Sequence, residues 1–156
     1  MRQQRWFPIA ALAVGLFVIN VVARLVARFA FDGDDAAGTK VTIVMFSLVG
    51  LVLAGYTFVV SQHRRPSEWL VPDVVLGVAA AMLLTLLAGP FVSGEQPFAN
   101  GSDAFFAQIA LYLGFALGGV LVGYWVSVAM GRDYRSRSLT AYTQSRQARP
   151  RKIVRR

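Results

Sequence analysis

The sequence predicts an all-α integral membrane protein, a bundle of four transmembrane helices with both termini on one side and a basic C-terminal tail. Three observations carry that expectation. Of the 156 residues 56% are hydrophobic, too apolar for the surface and core of an ordinary soluble domain. The apolar residues fall in four runs, each long enough to cross a hydrocarbon layer about 30 Å thick. The charges fall between those runs, and nine of the sixteen basic residues lie in residues 132–156.

The first span covers residues 6–31. Its first eighteen residues, 6–23, carry no charge, and Arg2 and Arg5 precede them. This run is longer than a signal-peptide core and no small-x-small cleavage site follows it, so it reads as a retained signal anchor. Residues 32–39 combine three aspartates with two glycines and read as a loop, with Lys40 at its edge. The second span follows at 41–61. A short basic break, His63 to Glu68, leads into a third span at 70–91, where Pro72 and Asp73 are expected in the first helical turn and Gly89 with Pro90 at the end. Residues 93–103 carry Glu95 and Asp103 but no Lys or Arg, and Ser102 or Asp103 is positioned to cap the fourth span at 104–130. Gly131 then marks the exit. Residues 1–131 form the membrane domain and 132–156 a tail, disordered or helical only along a membrane surface.

Charge sets the orientation. With both termini and the central loop on one side, that side holds thirteen basic residues, and the other holds Arg24, Arg28 and Lys40 beside five acids. The positive-inside rule then puts the termini in the cytoplasm. Trp6, Trp69 and Trp125 fall at the cytoplasmic ends of their spans, where indole rings favour the headgroup level. The Arg-rich, Ala- and Val-rich usage points to a bacterial plasma membrane.

Few residues offer chemistry. Asn20, Arg24 and Arg28 repeat every four positions and share a helix face. Arg24 stands roughly 27 Å along the helix from Trp6, so the stripe is a candidate anion or headgroup site at the outer mouth. Asp73 is the one acid within reach of the hydrocarbon and the candidate gating acid. Gly114, Gly118, Gly119 and Gly123 make two successive G-x-x-x-G patterns, a packing or partner face along which backbones can approach. In the tail, Arg132, Arg135, Arg137, Arg146, Arg149, Arg151, Lys152, Arg155 and Arg156 stand against one acid, Asp133, and suit an anionic leaflet at about 1 kcal/mol per engaged charge. No aromatic platform accompanies them, which disfavours nucleic acid.

The chain has no cysteine, so disulfides and thiolate metal sites within it are excluded. His63 stands without a second ligand nearby, and no nucleophile–base pair or paired acids can be assembled. The expectation is therefore a non-enzymatic accessory, assembly or structural subunit of a membrane complex, without cofactor or metal. Its partners would be anionic lipid and either another membrane protein or further copies of itself. The alternative is a small oligomeric transporter, channel or lipid flippase handling an anionic group.

Overall fold

A computed structural model describes residues 6–31, 35–93 and 101–147. Every element among them is helical: α1 (Trp6–Phe31), α2 (Asp35–Ser61), a single turn α3 (Pro66–Trp69), a π-helical segment Leu70–Val75, α4 (Leu76–Leu87), a short α5 (Gly89–Ser93), α6 (Gly101–Ala129) and α7 (Tyr134–Gln147). Four of the helical stretches are long and apolar enough to cross a membrane. The chain is accordingly a multi-pass membrane protein in composition and in helix length.

Several boundaries differ from the sequence reading. Helix α2 starts at Asp35, so residues 35–39, more than half of the anticipated acidic loop, are helical; Ala36 and Ala37 are strong helix formers and favour the extension. The third span begins at Pro66 rather than 70. Proline at the first helical position gives up an N–H that would be orphaned anyway, and its fixed φ suits the turn. Asp73 consequently lies two turns in, not in the first turn. Helix α6 opens at Gly101, whose φ of +85° suits glycine, so Ser102 and Asp103 sit inside the first turn instead of capping it.

The end of α6 is sharply defined. Gly131 adopts φ +62°, and the Gly131 and Arg132 amides donate to the carbonyls of Val128 and Ser127 at 2.9 and 3.0 Å. This pair of bonds is the Schellman arrangement that terminates helices on a left-handed residue. Asp133 then starts α7: its Oδ2 accepts the Arg135 amide at 3.2 Å, and its Oδ1 accepts the Ser136 hydroxyl. The sequence left the tail disordered or surface-helical; residues 134–147 form a helix, and residues 148–156 lie outside the described residues.

Helix directions follow from the contacts. Asn20 meets Met45, and the two lie at similar distances along the chain from the short α1–α2 connection, so α1 and α2 run antiparallel. Leu12 faces Gly77 while Asn20 and Arg24 face Gly89, so α1 and the α4–α5 segment run parallel. Gly119 faces Gly50 and Gly123 faces Ala54, so α2 and α6 run parallel as well. The closest pairings are α2 with α6 and α1 with α4, joined through α1 and α2. The start of α1 and the end of α6 thus share one end of the molecule, with the 62–65 turn. Leu16, Val49, Leu53 and Ala81 are completely buried at mid-height, with Ala116 close to it.

Candidate functional site

Two polar clusters stand at opposite ends of that apolar layer. The first, at the end shared by the start of α1 and the end of α6, is built around Asp73. The π segment carries it: Pro72 has no N–H to donate, the regular ladder is interrupted, and the helix widens by a residue there. Asp73 is buried, and its Oδ2 accepts both the Tyr56 hydroxyl at 3.1 Å and Arg64 Nη1 at 3.2 Å. Arg64 itself is half-exposed, so the ion pair bridges the protein interior and the polar boundary. A buried carboxylate stripped of such partners would cost several kcal/mol; the Arg64 charge and the Tyr56 hydroxyl offset that cost. Neither partner was singled out from sequence. The Arg64 signal was available, because a basic turn precedes the one acid of the third span as read from the sequence, residues 70–91.

Trp69 lies one turn before Asp73. Its burial corrects the sequence expectation of a headgroup anchor: only 1% is exposed, against 70% for Trp6 and for Trp125. Among the described residues its Nε1 has no partner, and neither do the buried hydroxyls of Thr57 and Ser127. Next to this cluster Arg65 lies over the Tyr134 ring at 5.6 Å, fastening the root of α7 to the 62–65 turn. The Tyr134 side chain beside it raises the Arg65 pKa above its ordinary value. The His63 ring donates from Nδ1 to the Val59 carbonyl at 3.0 Å, and no group of three potential metal ligands occurs among the described residues.

The second cluster sits at the far end. Arg24 Nε donates to Asn20 Oδ1 at 3.1 Å, and Asn20 Nδ2 donates to Met45 Sδ at 3.1 Å. Asn20 is buried and Arg24 half-buried. Both side chains occupy the space that a side chain at residue 89 would need: a Cβ there would lie 2.9 Å from Arg24 Nε and 3.0 Å from Asn20 Oδ1. Glycine at 89 is thus what lets α5 close over the pair. The structure joins Asn20 and Arg24 of the expected stripe, whereas Arg28, one turn further along α1, is exposed. Asp73 stands at the opposite end and takes no part in this cluster. The two clusters are separated by the buried apolar layer.

The glycine face of α6 divides. Gly119 and Gly123 are buried, and a Cβ on either would overlap the carbonyl of Gly50 or Ala54 on α2. Gly114 and Gly118 are exposed, with nothing within 4 Å of a Cβ. Together with Gly50, Leu51, Leu111 and Val122 they line an apolar groove of about 500 Å³ between α2 and α6. Of the tail residues, Arg132, Arg135, Arg137 and Arg146 are exposed; Arg149, Arg151, Lys152, Arg155 and Arg156 lie outside the described residues. Compared with known proteins, the chain matches no family model, no curated protein and no solved structure.

Proposed function

We propose that the chain is a non-enzymatic accessory subunit that seats a transmembrane helix of a second membrane protein in the groove between α2 and α6. The observation that carries this reading is the divided glycine face. Two of its four glycines are consumed by α2, while Gly114 and Gly118 repeat the same spacing toward the outside. Their bare backbone offers Cα–H groups and close dispersion contact, which replace the hydrophobic drive that lipid abolishes between helices. A lipid chain has no acceptor for those Cα–H groups; the carbonyls of an approaching helix do. The buried apolar layer between the polar clusters favours a subunit over a channel. In this reading the four spans close as a bundle in a bacterial plasma membrane with both termini cytoplasmic, and α7 with the residues after it lies on the anionic leaflet.

The chain has no cysteine, so a single Val122→Cys places a unique probe in the groove. In native membranes this variant is expected to form a disulfide or bismaleimide cross-link to one other protein, in a fixed ratio. Adding Gly114→Leu and Gly118→Leu should abolish the adduct while leaving the melting temperature of the purified protein unchanged. A cross-link only to a second copy would replace the hetero-partner with self-association. Absence of any adduct, or an adduct indifferent to the leucines, would remove the groove as a partner site.

A further inference from the structure

Two adjacent arginines of the 62–65 turn serve different parts of the molecule. Arg64 Nη1 donates to the buried Asp73 Oδ2 at 3.2 Å, where the Tyr56 hydroxyl also donates. Arg65 instead lies over the Tyr134 ring at 5.6 Å, at the root of α7. The sequence dictates this division locally. Pro66 pushes the residue before it out of the helical region, and Arg65 is extended, with φ −66° and ψ 143°. Successive side chains of an extended backbone point to opposite sides, so one arginine is given to the third span and the next to α7. The Arg64 amide is itself bonded to the Val60 carbonyl at the end of α2. A single short turn thus holds α2, the third span and α7 together.

Both of its partners sit where the helix geometry is irregular. Asp73 rides on the π segment Leu70–Val75, which exists where Pro72 interrupts the regular ladder. Dropping the extra residue of that segment, to restore α-helical register, would turn Asp73 about 100° around the helix axis and away from Tyr56 and Arg64. The ion pair with Arg64 therefore favours the wider form. Tyr134 follows the left-handed Gly131, φ +62°, and stands beside Asp133, which caps α7 through the Arg135 amide and the Ser136 hydroxyl. The placement of α7 is consequently set within a few residues of the Arg65 contact.

We infer that the 62–65 turn is a relay between α7 and the buried acid of the third span. Displacement of α7 takes the Tyr134 ring from Arg65 and loosens the turn; Arg64 then leaves Asp73, and the π segment relaxes to α-helical register. Linkage makes the coupling reciprocal, so loss of the Asp73 charge loosens the root of α7 by the same factor. Its size is limited by the weakest link, a cation–π contact at an exposed arginine, which corresponds to about a threefold change in local opening. The relay does not involve the α2–α6 groove and stands or falls apart from the subunit reading.

The test is hydrogen–deuterium exchange of the full-length chain in detergent, read by mass spectrometry on peptides covering residues 62–75 and 132–147. In Tyr134→Leu, the amides of residues 67–75 are expected to exchange about threefold faster than in the parent protein, although the substitution lies on another element. In Asp73→Asn, the amides of residues 137–141 are expected to do so by the same factor. Tyr142→Leu, which removes an exposed ring from the same α7, should leave residues 67–75 unchanged. Faster exchange confined to the substituted element in either variant would overturn the relay, as would an equal response of residues 67–75 to Tyr142→Leu. Should Asp73→Asn fail to fold, Arg64→Gln takes its place at a half-exposed position: faster exchange in residues 137–141 supports the relay, and unchanged exchange there overturns it.

Discussion

Within α6, Gly119 and Gly123 share a residue type and a four-residue spacing with Gly114 and Gly118, yet the two pairs live in opposite surroundings. A Cβ on the first pair would overlap a carbonyl of α2, whereas a Cβ on the second meets nothing within 4 Å. The spacing defines a strip of low bulk, but two such strips displaced by five residues are rotated by about 140° around the helix. One therefore becomes an internal seam and the other an outward face. The spacing pattern says that a helix can be approached closely; the rotational phase says from which side.

That contrast is open to direct attack. The largest effect is expected for Gly119→Ala, because the added methyl meets backbone that cannot rotate away. The α2–α6 seam would have to open, at a cost of about 3 kcal/mol, read as a shift in the denaturing detergent fraction needed to unfold the protein in mixed micelles. Gly50→Ala probes the partner side of the same seam. Its Cβ would stand 3.1 Å from the Phe115 carbonyl, tight but short of overlap, so a loss of about 1 kcal/mol is expected in the same titration. The smallest effect belongs to Gly114→Ala and Gly118→Ala, within about 0.5 kcal/mol of the parent protein. If Gly118→Ala destabilised as much as Gly119→Ala, the division of the face into seam and groove would be wrong.

The readable part of this molecule was the part set by composition and length. Four apolar runs gave four helices long enough to span, because nothing but a helix satisfies every backbone group within a single segment in lipid. Asn20 and Arg24 were legible as neighbours, since four-residue spacing alone puts them on one face, and they are joined by a hydrogen bond. Gly89 and Met45 were not, because their place beside Asn20 depends on the register between helices, which no local pattern records. Asp73 was found but misplaced. Reading Pro72 as a helix start put the acid in a first turn, whereas the helix begins at Pro66 and buries Asp73 against Tyr56 and Arg64. Two prolines six residues apart each make a plausible start, and only the packing of Trp69 decides between them.

The parallel pairing of α2 with α6 also has a consequence in time. Roughly seventy residues separate Gly50 from Gly119, and at about 5–20 residues per second a ribosome needs several seconds to make them. Helix α1 can meet α2 during that interval, and α4 can settle on α1, but the small-residue face of α2 has no companion until the last span is threaded. A newborn chain thus presents Gly50 and Ala54 to whatever lies beside it in the membrane before its own α6 arrives. Any factor that guards insertion would find the vulnerable surface on the second helix, and would be released by the fourth.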